Sequence, residues 1–204
     1  MKTLLLLGLG CVLTTSATAQ AQKGTRYLGA SIGSFSYSHE YDRNSFSAAL
    51  VPTGGLFLTN RLLLGSEVQL GYSLLRFRNR NSSALNYRRR VFSYGFAPVA
   101  RYYFNSTGPH RFFGQLSAGV FWLNSRNNDS ILGSYDGRSQ TQNYAKAGIT
   151  LGYNYFVTPG AALEVTAGYS HTSSLAAFNT GFLDVRAGFA VFLPSKQAAT
   201  VPAQ

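Results

Sequence analysis

From Thr25 onward, apolar and polar residues alternate with a period of two. In AALEVTAGYS (161–170), Leu163, Val165, Ala167 and Tyr169 point one way, while Ala162, Glu164, Thr166, Gly168 and Ser170 point the other. In YAKAGITLGYNY (144–155), Ala145, Ala147, Ile149, Leu151, Tyr153 and Tyr155 share a face. In FLDVRAGFAVFL (182–193), Leu183, Val185, Ala187, Phe189, Val191 and Leu193 lie opposite Asp184, Arg186, Gly188 and Ala190. Successive side chains of a strand point to opposite faces, so this period predicts β-strands. Eight are expected, near 25–37, 46–58, 62–76, 91–104, 111–124, 141–156, 161–171 and 180–193.

The connections alternate in length. Short ones fall at Thr59-Asn60-Arg61, NSTGPH (105–110) and VTPG (157–160), and long polar ones near 38–45, 77–90, 125–140 and 172–179. Gly-Pro and Pro-Gly pairs mark two of the short links as turns. Antiparallel strands with short turns on one rim and long loops on the other predict an eight-stranded up-and-down barrel. Such a barrel either hides its apolar face from water or, as a transmembrane β-barrel, turns it toward lipid.

Three features favour the membrane form. The polar face is made of small residues, among them Gly65, Gly71, Ser73, Gly95, Ser117, Gly119, Gly148, Gly152, Gly168 and Gly188. An eight-stranded interior is only just wide enough for its side chains, whereas a water-facing exterior would carry Lys and Glu. The apolar face bears rings near strand ends, Phe92, Phe104, Phe112, Trp122, Tyr153 and Tyr155, as an aromatic girdle would. The third feature is the start of the chain. MKTLLLLGLGCVLTTSATAQAQ has a basic Lys2, an apolar run from Leu4 to Leu13 and small residues around Ala19 and Ala21. It predicts a signal peptide over 1–21, cut after Ala19 or Ala21. A lipid-anchored Cys11 would want Leu three positions earlier, where Gly8 stands. The expected organisation is thus a signal peptide, a barrel over 22–193, and a flexible periplasmic tail over 194–204.

The formal net charge is +11, from 18 Lys and Arg against 7 Asp and Glu. Export argues against nucleic acid as the partner and for anionic lipid headgroups. Cys11 is the single cysteine, so the exported chain can form no disulfide and has no thiolate ligand. The three His residues, His39, His110 and His171, are scattered. No metal or cofactor is expected.

PTGGLFLTNRLLLG (52–65) resembles a recurring hairpin of the outer-membrane protein beta-barrel (porin-like) domain family of Gram-negative bacteria, and APVARYYF (97–104) resembles its Pro-x-x-Arg-Tyr-Tyr strand. Arg186 to Leu193 is similar to the family's assembly signal, although eleven residues follow it here. The resemblance implies a monomeric barrel in the outer membrane whose partners are membrane lipid, lipopolysaccharide and the barrel-assembly machinery.

Three groups of residues carry candidate chemistry. The polar face holds Glu67, Arg101, Lys146, Glu164, Asp184 and Arg186, three acids and three bases. An unpaired charge in a narrow lumen is costly, so ion pairs are expected, with Asp184 and Arg186 meeting Glu164 and Lys146. A narrow path for ions or small solutes is the alternative use of these groups. The loop RFRNRNSSALNYRRR (76–90) holds Arg76, Arg78, Arg80, Arg88, Arg89 and Arg90 and no acid. Guanidinium forks suit the phosphates of lipopolysaccharide. Lastly, YSHTSSLAAFNTG (169–181) bears a partial resemblance to the lipid A deacylases, with His171 and Ser173 as candidate base and nucleophile of a hydrolase. Ser174 stands where that motif has Asn, and Asp184 has the wrong parity to orient His171. An envelope role without catalysis is the favoured expectation.

Overall fold

The computed structural model describes residues 22–40, 43–77, 87–129, 139–173 and 180–194. The expected signal peptide and all of the tail beyond Pro194 lie outside them. Eight strands, β1 (Arg26–Glu40), β2 (Arg43–Phe57), β3 (Leu62–Phe77), β4 (Tyr87–Tyr103), β5 (His110–Asp129), β6 (Ser139–Thr158), β7 (Ala161–Ser173) and β8 (Thr180–Leu193), form one closed barrel in chain order. Every neighbouring pair is antiparallel, and β1 pairs with β8 to close the wall.

The strands outrun the alternation at the loop end. Residues 38–40 and 43–45, expected in a long connection, belong to β1 and β2 and pair with one another, Ser38 with Ser45 and Glu40 with Arg43. Residues 87–90 belong to β4, 125–129 to β5, 139–140 to β6 and 172–173 to β7. These segments are polar on both faces, so hydropathy loses its period there while the backbone ladder continues.

The ladder rows climb around the barrel. One row runs Arg26, Leu56, Leu64, Ala100, Leu116, Ile149, Tyr169 and ends on Leu183. Arg186, not Leu183, is the last residue of β8 opposite β1, where it meets Gly33. The strands are therefore tilted, as closure of a sheet requires.

The barrel is apolar outside. Leu116, Ile149, Leu151 and Val185 are exposed, whereas Glu67, Arg101, Lys146, Glu164 and Asp184 are buried. On β4 the outward Phe92 and Tyr102 stand ten residues apart. At about 3.3 Å per residue and a tilt of about 40°, that separation spans about 25 Å, the height of a bilayer-facing apolar band.

Inside, the glycines make room for what fills the lumen. A Cβ on Gly95 would run into the Phe121 ring, and one on Gly152 into the Phe113 ring. At the turn end the filling is apolar, which the alternation does not announce. Tyr27, Phe57, Leu63, Tyr103, Phe113, Phe156 and Phe192 form a buried cluster. Its rings meet edge-on or tilted, Phe156 to Phe192 at 4.8 Å and Tyr103 to Phe113 at 5.3 Å between centres, as aromatic quadrupoles favour.

Candidate functional site

Directly above this plug lies a polar network built by residues from seven strands. Arg101 on β4 reaches across the lumen to Glu164 on β7, with Nη1 donating to Oε2 at 2.6 Å and Nη2 to Oε1 at 3.1 Å. Tyr27 Oη donates to Glu164 Oε2 at 2.9 Å, as does Asn154 Nδ2 at 3.2 Å, and Arg101 Nη1 also donates to Tyr27 Oη at 3.0 Å. The Arg101 guanidinium sits 3.9 Å from the centre of the Phe113 ring. Two parallel donors on one carboxylate fix distance and orientation together.

The network continues upward. Arg101 Nε donates to Gln115 Oε1 at 2.9 Å, and Gln115 Nε2 donates to Glu67 Oε2 at 3.3 Å. Arg186 bridges Glu67, at 3.4 Å, and Asp184. Asp184 Oδ1 also accepts from Ser34 Oγ at 3.1 Å. This corrects the expected pairing: Arg186 meets Asp184 and Glu67, and Glu164 belongs to Arg101.

Lys146 stands outside the chain of bonds. Among the described residues no carboxylate oxygen comes within 4.0 Å of it, and its Nζ donates to Gln69 Oε1 at 3.0 Å. It lies between two rings, 5.3 Å from the centre of Phe121 and 5.0 Å from that of Phe182. Tyr27, Gln69, Gln115 and Asn154 went unmarked in the sequence because they are uncharged, although their inward parity was readable. Arg111 was missed for another reason. It is fully buried at the turn end, with its guanidinium 4.7 Å from the centre of the Phe156 ring, and its place beside a turn hid its parity with Phe113.

The arginine segment changes most. Arg76 belongs to β3, and Arg88, Arg89 and Arg90 to β4, so four of the six are wall residues; Arg78 and Arg80 lie outside the described residues. Arg88 and Arg90 share the outward parity of Phe92 and Tyr94, and Arg76 that of Tyr72. Arg126 on β5, which the alternation had assigned to a loop, shares the parity of Trp122. Arg76 lies directly opposite Arg88, and Arg90 opposite Arg126. Arg88 Nε is buried without a partner among the described residues. Arg89 has the inward parity of Val91 and donates Nε to Ser125 Oγ at 3.1 Å. Two residues below the outward arginines begins an aromatic band, in which Tyr94 and Trp122 stack at 5.5 Å. A second band lies at the turn end, with Phe104, Tyr155 and Phe112 exposed and Phe112 against Tyr153 at 5.1 Å.

His171 and Ser173 are exposed on the outer wall, with Ala147 and Ala145 as their cross-strand neighbours. Among the described residues no hydrogen bond joins them, and Asp184 is occupied inside the lumen by Arg186 and Ser34. The described residues thus give His171 no acid to orient it, as nucleophile activation requires. Among them, no three His, Asp or Glu side chains come together as a metal site.

Residues 3–191 match the outer membrane protein beta-barrel domain family. The chain belongs to that family, and it is a small eight-stranded barrel of the outer membrane of Gram-negative bacteria. It is similar to neisserial surface protein A (17% identity, 83% of this chain and 99% of that one, TM-score 0.46). It is also similar to OprG of Pseudomonas aeruginosa (8%, 87% and 100%, 0.48) and to Ail of Yersinia pestis (11%, 84% and 100%, 0.45). No curated protein matches it.

Proposed function

We propose that the barrel serves the envelope by binding lipopolysaccharide at its loop-end rim, without catalysis. One observation carries the reading: Arg76, Arg88, Arg90 and Arg126 face outward in two directly opposed like-charged pairs just beyond the upper aromatic band. Like charges directly opposite one another across a ladder are destabilising, so the quartet calls for counter-anions. Interfacial rings mark headgroup depth, and guanidiniums just beyond them suit the phosphates of the outer leaflet. Arg forks bind such groups bidentately.

The test compares the Arg76/Arg88/Arg90/Arg126→Gln variant with Arg89→Gln, whose side chain has inward parity. Retention of purified lipopolysaccharide by the folded barrel is followed as salt rises. The quartet variant should lose most retention and most of its salt dependence, because exposed charge pairs are screened. Arg89→Gln should match wild type. Equal retention by the quartet variant and wild type would remove the proposal.

A further inference from the structure

Above the charged network the lumen opens into a vestibule of about 300 Å³. Leu123, Tyr144 and Phe182 supply an apolar, largely aromatic wall, and Gln142, Thr172 and Thr180 supply amide and hydroxyl groups nearer the loops. Small-molecule sites have this make-up, with volumes of roughly 300–1,000 Å³. Lys146 adjoins the vestibule from below rather than lining it: it follows Gln142 and Tyr144 inward along β6, its cross-strand neighbour on β7 is Thr172, and its Nζ is 5.0 Å from the centre of the Phe182 ring.

The charges in the lumen bear on this end. Among the described residues the buried charges are Arg101, Arg111 and Lys146 against Glu67, Glu164 and Asp184, and the half-buried Arg186 adds a fourth base to the lumen. Arg101 and Arg186 hold carboxylates directly. Lys146 is 5% exposed and spends one donor on Gln69. An ammonium has three donors, and a buried charge without a counter-ion is costly. The two flanking rings offset part of that cost, and among the described residues no partner is shown for the other two donors.

We propose that the vestibule binds a small monocarboxylate with a flat apolar body, its carboxylate on Lys146 and its body against Phe182, Tyr144 and Leu123. A monoanion matches the single cation. A dianion would bring surplus negative charge toward Asp184 and Glu67 in the layer below. This site is independent of the outer-wall arginines, so either can fail alone.

Sodium benzoate is the probe, with benzamide as its uncharged counterpart. Each is titrated into the full chain folded in lipid nanodiscs, following the backbone amide signals of Tyr144, Thr172 and Phe182. Benzoate should shift them saturably in wild type. Binding should weaken at least about tenfold in Lys146→Met, the loss expected of a hydrogen bond to a charged group. Lys146→Arg keeps the charge and should retain binding, and heat-modifiable gel migration verifies that both variants fold. Benzamide should bind at least about tenfold more weakly than benzoate, for the same reason. The proposal is overturned by the absence of saturable shifts, by equal benzoate affinity in wild type and Lys146→Met, or by equal affinity for benzoate and benzamide.

Discussion

The two ends of the lumen solve the same problem differently. At the turn end, Arg101 and Glu164 satisfy each other at two contacts, lean on Tyr27, Gln115 and Asn154, and are sealed below by rings. At the loop end, Lys146 has one amide partner among the described residues, and a vestibule adjoins it. The wall differs in the same way. β1 and β8 pair only from Arg26 and Leu193 up to Gly33 and Arg186. Beyond that point β1 breaks register at a bulge, where Ser34 takes a positive φ of 52°. There, Leu183 on β8 and Phe35 on β1 reach 83% and 70% exposure. The turn end is packed and paired, and the loop end leaves charge and apolar surface exposed.

The largest effect should come from breaking the lower network. Arg101→Met strands Glu164 among rings, and removing one member of a buried pair costs about 3–5 kcal/mol. Lys146→Met has the opposite logic: it exchanges a buried, carboxylate-free ammonium for a thioether of similar length, so it should be neutral or stabilising. Urea unfolding from lipid vesicles measures both. Equal losses for the two variants would erase the distinction between the ends.

That distinction was only half legible in the sequence. The bilayer outside and the narrow polar lumen inside impose the cleanest alternation where the strands cross mid-membrane, and there every inward residue could be read. At the turn end both faces are apolar, as at Tyr102 and Tyr103 or Phe192 and Leu193, so hydropathy cannot tell plug from girdle. Partners across the lumen were not legible either. Arg101 on β4 finds Glu164 on β7 because of barrel diameter and strand tilt, and neither leaves a local trace. The same limit turned Arg88 and Arg90 into loop residues, since a polar stretch gives no sign that its backbone is still paired.

Two smaller substitutions grade the packing of the lumen. A side chain on Gly119 would strike the Phe96 carbonyl oxygen and the Ala97 backbone. Gly119→Val should therefore cost about 1–3 kcal/mol, the usual penalty of overpacking, in the same unfolding assay. Tyr27→Phe removes one hydroxyl from Glu164 and Arg101, which keep each other. Its cost should be about 1 kcal/mol, the net worth of an ordinary hydrogen bond. A loss as large as that of Arg101→Met would mean that the hydroxyl, and not the ion pair, organises the network.

The smallest effect is the one whose sign should depend on the membrane. Arg88→Gln relieves a directly opposed pair with Arg76. In vesicles of zwitterionic lipid alone, that relief should stabilise the barrel slightly. In vesicles containing lipopolysaccharide, wild type should gain from phosphate contacts that the variant has lost, and the order should reverse. Phosphate binding to the folded state alone stabilises it increasingly as ligand concentration rises above the dissociation constant, so the reversal should grow with lipopolysaccharide content and fade with added salt. A variant that stays more stable than wild type in both membranes would leave the quartet as charge without a ligand. The loop end would then differ from the turn end only in being less well packed.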